Sequence, residues 1–459
     1  MGRLFGIYEK EVPRSEILEG AINKKAVEES NMFPEKPSIT SEDWQKIKNY
    51  YLAEAPERLD QTIWEKSSVS LLEGFEMVDP EENEKLQNIT ILKTNPNHNG
   101  IYVGSTSGER GSLAILNDEN RIAQIIPLPS APTDVAFGKD NLSITLAGSL
   151  RLSPGKNKFG NLITIFRNPG DLQYSSFRKF LGQLNRPVQT VIEDINGNGL
   201  TDILVAEFGY YTGALTIFEN TGTPKQPYKK TILKNVAGPI HTLIRDINND
   251  GRKDIIALFA QGDEVISIFY NKGEGQFTEE RVLSFPPTFG SFSFDLVDFN
   301  QDGYIDILYG NGDNGDYPPI PKPYHGLRIY ENDGENNFKQ VYFFPMNGVN
   351  RCAAADFDKD GQFEIIAVSY FPDFDLPGRQ DFVYLKQEEL YVYKPYILEE
   401  KLDARWITFE IGDIDTDGDL DLLLGSNGKY YNRGNRTKEI KEMKGPLLIL
   451  KNQLKINKD

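Results

Sequence analysis

Asp194-Ile-Asn-Gly-Asn-Gly-Leu-Thr-Asp202 is one of five copies of a nine-residue pattern, D-x-[DN]-x-[DN]-G-x-x-[DE]. The other copies occupy residues 246–254, 298–306, 356–364 and 413–421. In each copy, oxygen-bearing side chains alternate around a turn-forming glycine. A hard cation such as calcium needs a sharply bent loop of this kind to collect about six to eight oxygen ligands. The repetition therefore predicts calcium loops within a repeated fold.

The first, third, fifth and ninth residues of each copy are the predicted metal ligands. They are Asp194, Asn196, Asn198, Asp202, Asp246, Asn248, Asp250, Asp254, Asp298, Asn300, Asp302, Asp306, Asp356, Asp358, Asp360, Glu364, Asp413, Asp415, Asp417 and Asp421. The alternative is a set of acidic turns that hold no ion, but five copies with constant internal spacing favour cation sites. The last two copies each offer four carboxylates and the first offers two, so we expect the last two to bind most tightly.

EF-hand and dockerin loops share this opening and must be considered as alternatives. Those loops continue into a helix and carry an acidic residue at their twelfth position. Here the loops run into short β-branched or leucine stretches, which are typical of buried strands. The residues at the twelfth position are Val205, Ala257, Tyr309, Ala367 and Leu424. The loops are therefore not EF-hands.

The spacing of the copies predicts the architecture. Their first aspartates stand at 194, 246, 298, 356 and 413, a repeat typical of propeller blades. A second pattern, an alternating apolar strand that usually ends in Asn, recurs seven times, over residues 111–117, 161–168, 213–220, 264–271, 326–332, 389–394 and 446–452. Asn-x-Gly turns after several of these strands lead into a fourth strand. We predict an all-β, seven-bladed β-propeller of four-stranded antiparallel blades, with no metal in the first two blades, which lack the ligand pattern.

The two ends of the chain predict how the ring closes. The seventh repeat lacks a good fourth strand, and residues 68–78 look like one or two unassigned strands. We expect the N-terminal strand to complete the last blade and remove an open edge. Residues 66–459 then form the propeller, and residues 1–65 form an extension with one helix. That helix begins at a capping-box-like pair, Thr40 and Asp43, and either docks on the propeller rim or binds a partner.

Composition limits the function. Net charge is 50 − 68 = −18, and the predicted ligand positions of the five loops hold 16 carboxylates, so five divalent cations would leave −8. The acidity thus largely reflects metal sites, and the lack of a basic stripe argues against nucleic acid. The single Cys352 excludes internal disulfides, and no apolar run approaches the length of a membrane span. We expect a monomer, either cytosolic or, because calcium is plentiful outside cells, exported (periplasmic, cell-surface or extracellular). In the exported case, which we favour, the signal is absent from this chain.

The loops and the strands between them closely resemble the FG-GAP/VCBS repeat proteins, over about residues 86–452. That superfamily includes integrin α-chain propellers and exported bacterial proteins, and the bacterial type is the more similar. The resemblance implies a propeller and calcium. It does not imply one activity, because members include adhesins, lectin-like binders, lipases and polysaccharide lyases.

The face opposite the metal loops is the predicted ligand site. The loops joining second to third strands are long and aromatic, and those joining fourth to first strands are predicted to add Arg186, His241, Arg351, Arg405 and Trp406. The candidate ligand-binding residues are Tyr210, Tyr211, Tyr317, Tyr324, His325, Tyr430 and Arg433. Tyr and Arg suit a polar, partly anionic ligand such as an acidic glycan, although the aromatic rings could equally pack on one another.

Three functions fit this face, and the residues leave catalysis open. The first is a binder of a glycan or a protein partner. The second is a polysaccharide lyase acting by β-elimination, with His325 or His241 as the base. The third is a cell-surface adhesion protein without a small ligand. No serine nucleophile or glycosidase carboxylate pair can be identified, because nearly all clustered carboxylates belong to the metal loops.

Overall fold

The computed structural model describes residues 5–8, 13–19, 24–55, 69–95, 100–150, 159–168, 173–315, 321–372, 381–398, 404–427 and 445–454. Its N-terminal region contains three α-helices, α1 (Arg14–Glu19), α2 (Lys24–Glu29) and α3 (Ser41–Glu54). Two short strands, β1 (Ser70–Leu71) and β2 (Phe75–Val78), and a 3-10 turn (Asn83–Lys85) follow. None of the helices within the described ranges has the length and apolar character needed to cross a membrane.

The remaining strands form seven blades arranged in chain order, so the predicted seven-bladed β-propeller is confirmed. Blade one contains β3 (Asn88–Thr94), β4 (Ile101–Ser107), β5 (Arg110–Leu116) and β6 (Ile122–Leu128). Blade two contains β7 (Pro132–Phe137), β8 (Asn141–Leu146), β9 (Gly160–Arg167) and β10 (Tyr174–Leu184). Blade three contains β11 (Pro187–Glu193), β12 (Asp202–Glu207), β13 (Ala214–Asn220) and β14 (Tyr228–Lys234). Blade four contains β15 (Pro239–Arg245), β16 (Asp254–Gln261), β17 (Asp263–Gly273) and β18 (Gln276–Phe285).

Blades five to seven repeat the arrangement. Blade five contains β19 (Ser291–Val297), β20 (Asp306–Asn311), β21 (Gly326–Asn332) and β22 (Phe338–Pro345). Blade six contains β23 (Val349–Ala355), β24 (Glu364–Ser369), β25 (Phe382–Glu389) and β26 (Val392–Ile397). Blade seven contains β27 (Trp406–Gly412), β28 (Asp421–Ser426) and β29 (Leu447–Asn452) from this part of the chain.

The two N-terminal strands join the last two blades. Strand β2 pairs antiparallel with β29, from Phe75 opposite Asn452 to Val78 opposite Ile449, and is the fourth strand of blade seven. Strand β1 adds to blade six as a fifth strand, parallel to β26. The innermost strands β27 and β3 contact each other, so blade seven lies beside blade one. The N-terminal segment is therefore shared between two neighbouring blades.

The apolar runs that follow the metal loops become the second strand of each blade. Every residue of β12, β20, β24 and β28 is buried. Each second strand lies between two neighbouring sheets, so both of its faces must be apolar, which explains the continuous hydrophobic runs in the sequence. Fourth strands face solvent, and most residues of β18 are exposed or half-buried.

Side chains of the innermost strands bind each blade to the next. All seven innermost strands carry a β-bulge at the matching position. Beyond it, side chains accept hydrogen bonds from backbone N–H groups of the following blade. These bonds are Thr190 N to Asp134 Oδ2 (3.0 Å), Thr242 N to Gln189 Oε1 (2.6 Å), Phe294 N to His241 Nδ1 (3.5 Å), Cys352 N to Ser293 Oγ (3.0 Å) and Thr94 N to Glu410 Oε1 (3.3 Å). These bonds satisfy backbone N–H groups at the inner edge of the following blade's sheet, where no further strand pairs with them.

The N-terminal extension differs from the prediction of one helix. The expected helix is present as α3, and the Thr40 side chain accepts the Asp43 N–H at its start. However, α3 has no buried residue, so it is not the docked element. The short helices α1 and α2 dock instead, through an apolar cluster that includes Phe33 and reaches Tyr211 of blade three. Six-residue helices depend on tertiary packing and leave little periodic signal in a sequence.

Candidate metal centres and ligand face

The five acidic loops join the first and second strands of blades three to seven, so they share one face of the ring. In every loop the first aspartate accepts a hydrogen bond from the N–H of the sixth-position glycine, over 2.7–3.1 Å. The ninth-position carboxylate accepts the N–H of the second residue, over 2.9–3.2 Å. Blade two has only residues 138–140 at this place, which is too short for such a loop.

The loop glycine is required by its backbone conformation. Gly361 has a φ of 85°, and a Cβ at this position would have open space around it. The same holds for the sixth-position glycine of the other four loops. Side chains other than Gly rarely adopt this left-handed conformation, so backbone strain and not crowding selects Gly.

Loops four and five have the strongest geometry for a cation. Oxygens of Asp356, Asp358 and Asp360 lie within 4.8 Å of one another, and so do those of Asp413, Asp415 and Asp421. Buried carboxylate oxygens without a hydrogen-bond partner lie in these two loops, and they are Asp358 Oδ1, Glu364 Oε1, Asp415 Oδ1 and Asp419 Oδ1. An unpartnered buried carboxylate oxygen is costly, and a bound cation would satisfy it. The residues present therefore fit a calcium ion.

Burial raises the pKa of the ninth-position carboxylate in every loop. Burial, reinforced by the neighbouring Asp358 and Asp360, raises the pKa of Glu364 to about 7. Burial also raises the pKa of Asp306 to about 6. Burial and the adjacent Asp417 raise the pKa of Asp419 to about 6. Asp419 is the seventh residue of its loop and therefore lies outside the predicted ligand positions.

Basic side chains, which the sequence analysis missed, contact some loop carboxylates. Lys386 Nζ lies 2.5 Å from Asp358 Oδ2, and Lys451 Nζ lies 2.9 Å from Asp415 Oδ2. In loop two, the Arg252 guanidinium lies 2.5 Å from Asp250 Oδ2. Lys386 lies within the third strand β25 and Lys451 near the end of the third strand β29, and each directly precedes an amide residue, Gln387 or Asn452. This placement is the signal that could have identified them.

Neighbouring loops are also linked directly. The Gln301 side chain of loop three donates to the Gly361 carbonyl of loop four over 2.7 Å. Lys359 of loop four donates to the Gly418 carbonyl of loop five over 2.7 Å. Loops three, four and five therefore form a continuous acidic arc along one side of the ring.

On the opposite face, the N-terminal extension and blades three and four enclose a cavity of about 1050 Å³. Phe33 and Met32 line one side, and Tyr210, Tyr211 and Gln261 line the other. Tyr210 is 39% exposed, whereas Tyr211 packs edge-on against Phe33 with ring centroids 4.7 Å apart. The Gln261 Nε2 group donates to the Tyr210 carbonyl, and its buried Oε1 has no partner. Tyr210 therefore presents a usable ring, and Tyr211 is largely engaged in packing.

Of the other predicted ligand residues, the two that the structure describes, Tyr324 and His325, do not line this cavity. Tyr324 stacks on Phe289, with ring centroids 5.1 Å apart, in blade five. His325 is only 1% exposed, and burial lowers its pKa to about 3, so its imidazole is neutral. Tyr317, Tyr430 and Arg433 lie outside the described residues.

Three residues assigned to fourth-to-first loops are in strands instead. His241, Arg351 and Trp406 lie within β15, β23 and β27. Burial, with Arg351 and Lys93 nearby, lowers the pKa of His241 to about 3. The loop assignment was wrong because the innermost strands begin at Pro239, Val349 and Trp406, and the bulge just inside each strand is not apparent from the sequence.

Comparison with known proteins supports the repeat assignment. A family described as FG-GAP-like repeat matches residues 194–257 and 246–309. No curated protein sequence matches the chain. Among solved structures, one chain in the complex of S. cerevisiae Dbp5 bound to Nup159 and Gle1 is 11% identical to this protein. The match covers 85% of this chain and 98% of that chain, with a TM-score of 0.44.

Two further structures show a similar level of likeness. A chain from a BBS1N complex with ARL6DN is 11% identical, with 83% of this chain and 98% of that chain covered and a TM-score of 0.47. The Dos1 propeller is 10% identical, with 80% of each chain covered and a TM-score of 0.45. Strand pairing and the repeat match together lead to one conclusion. This chain carries FG-GAP-like repeats in a seven-bladed β-propeller, with acidic clusters that could bind metal.

Proposed function

We propose that this protein is an exported, calcium-stabilised monomeric propeller that binds a glycan at the face opposite its metal loops. The observation that carries the ligand proposal is the cavity between blades three and four and the N-terminal extension. It combines an exposed tyrosine ring, at Tyr210, with a buried and unpartnered amide oxygen, at Gln261. Sugar rings stack on aromatic faces and their hydroxyls donate to such acceptors.

The charges around the cavity favour a neutral glycan over an acidic one. Its described lining includes the carboxylates of Glu29, Glu207 and Asp263 and one basic side chain, Lys230. No arginine is among the described lining residues. Because guanidinium groups are the usual partners of carboxylates, a uronate would be poorly held. A protein partner is the alternative, and a segment with exposed basic and aromatic side chains would suit the same lining.

The lyase alternative has weaker support. A catalytic base must reach the proton that it removes. His325 is almost fully buried, and His241 is half-buried within an innermost strand. Neither lines the described cavity.

Calcium is the proposed ion because the loops offer only oxygen ligands on a flexible backbone, which suits calcium better than a metal preferring nitrogen or sulfur. Calcium is abundant outside cells, and one cysteine leaves no disulfide to stabilise an exported chain. We therefore propose that bound calcium performs that role. Fractionation of source cells tests the location.

Glycan-array screening with the Tyr210→Ala variant tests the ligand site. We expect wild-type protein to bind a neutral glycan and the variant to bind it more weakly by roughly 1–3 kcal/mol. Tyr304→Ala is the matched control, because Tyr304 is similarly exposed, at 42%, but belongs to a metal loop on the other face. Equal binding by wild type and Tyr210→Ala would place the glycan elsewhere, and binding of a protein alone would favour the alternative partner.

Calcium binding is tested by melting the protein with and without a chelator. Each site saturated at a hundredfold excess over Kd adds ~2.7 kcal/mol to the unfolding free energy. We expect a higher melting temperature in calcium, with a smaller increase in the Asp356→Asn variant. A melting temperature that does not respond to chelator would contradict the proposal.

A further inference from the structure

Two lysines lie where loops four and five would receive a cation. Lys386 and Lys451 occupy matching places, each one residue beyond a residue paired with the second strand (Leu385 opposite Ile365, and Leu450 opposite Leu422). Each ammonium group contacts the third-position carboxylate of its own blade's loop. The arrangement is therefore repeated twice in the same geometry.

The lysines occur only where the third loop position is an aspartate. In blades three, four and five the third position is Asn196, Asn248 and Asn300, and the place matching Lys386 is taken by Glu219, Tyr270 and Glu331. Both blades that have an aspartate at the third loop position therefore also have a lysine that contacts it.

The two oxygens of the third-position carboxylate have different surroundings. In loop four, Asp358 Oδ2 accepts from Lys386, while Asp358 Oδ1 is buried and has no hydrogen-bond partner. In loop five, Asp415 Oδ2 accepts from Lys451, while Asp415 Oδ1 is likewise buried and unpartnered. In each loop, Oδ2 of the third-position carboxylate is paired with a lysine from outside the loop, and Oδ1 has no partner.

We infer that Lys386 and Lys451 act as tethered counter-ions, which stabilise the empty acidic loops and weaken their affinity for calcium. The inference rests on the proposed calcium binding. A cation on the free oxygen would lie about 5 Å from the ammonium nitrogen, given ordinary calcium–oxygen distances. Like charges repel appreciably at that range near a protein surface. The four-carboxylate loops therefore do not bind as tightly as their carboxylate count predicts.

The double variant Lys386→Met/Lys451→Met tests this inference. Titration against a fluorescent calcium chelator should show two of the binding constants tightened by about tenfold, because a nearby positive charge has been removed. The melting temperature of the calcium-free variant should fall, because two carboxylate clusters lose their counter-charge. The matched Lys386→Arg/Lys451→Arg variant keeps the charge and should behave like wild type in both measurements.

Lys25→Met is the control for loss of a surface ion pair, because Lys25 pairs with Glu29 at 3.7 Å and Glu29 lines the cavity on the face opposite the metal loops. It should leave the calcium constants unchanged. Weaker or unchanged calcium binding in the double methionine variant would overturn the inference and indicate that the lysines position the carboxylates for the ion. Failure of the proposed function is distinguishable, because wild type itself would then show no calcium binding at all. In that case an unchanged melting temperature of the methionine variant would still refute the role of the lysines in the empty loops.

Discussion

Acidification should destabilise this protein through His241, and the His241→Gln variant should remove that sensitivity. His241 belongs to the innermost strand of blade four, where its Nδ1 accepts the Phe294 N–H of blade five over 3.5 Å. An accepting Nδ1 carries no proton, so the bond requires a neutral ring whose single proton is on Nε2. The Gln side chain offers a neutral acceptor for the same N–H without a group that titrates.

The size of the effect follows from the lowered pKa. Burial, followed by repulsion from Arg351 and Lys93, lowers the pKa of His241 from 6.5 to about 3. The unfolded chain therefore binds this proton more readily than the folded protein. The stabilising contribution is complete above pH 6.5 and is lost as pH falls toward 3. At pH 5 the loss is about 1.5 pH units at 1.36 kcal/mol each, or ~2 kcal/mol.

Urea unfolding at pH 7 and pH 5, followed by the fluorescence of the buried Trp406, measures this loss. Glu364 and Asp306 titrate with the opposite sign, because their raised pKa values favour the protonated folded form. The difference between wild type and His241→Gln cancels their contribution. We expect wild type to lose ~2 kcal/mol more than the variant between the two pH values. Parallel losses in the two proteins would refute the reasoning and show that the imidazole remains hydrated in the folded protein.

Three other predictions follow from particular contacts. Gly361→Ala should lower the unfolding free energy by roughly 1–2 kcal/mol, because its φ is 85° and Ala is strained there; equal stability in urea would contradict this. Tyr211→Ala should lower the melting temperature more than Tyr210→Ala, because Tyr211 packs on Phe33, and calorimetry would reveal the reverse order if this is wrong. Deleting residues 1–80 removes β1 and β2 and should cause aggregation measurable by light scattering, whereas deleting residues 1–35 should leave the protein soluble.

Much of the fold was predictable because the repeat encodes it locally. A nine-residue loop followed by an apolar run encodes a turn and a buried strand, so the acidic loops and second strands of blades three to seven were predicted correctly. The third strand of blade six was not, because residues 389–394 span the turn from β25 into β26. The innermost strands were harder to place. Their bulges depend on contacts between blades, and His241 and Arg351 therefore appeared to belong to loops.

The candidate site was predictable only in part. Tyr210 and Tyr211 are adjacent in sequence and were treated alike, yet Phe33 packs against one ring and leaves the other exposed. Phe33 lies far from both in the chain, so no local pattern could distinguish them. The same holds for Lys386, whose contact with Asp358 spans 28 residues.

The sequence by itself determined the number of blades, the positions of the acidic loops and the face that they share, because these depend on turn chemistry and on strand periodicity within short segments. Only the tertiary structure decided which aromatic rings remain exposed, which histidines are buried and which loop carboxylates are neutralised by lysine. Burial and charge pairing are set by groups brought together from distant parts of the chain, and the free energy of a side chain depends on those neighbours.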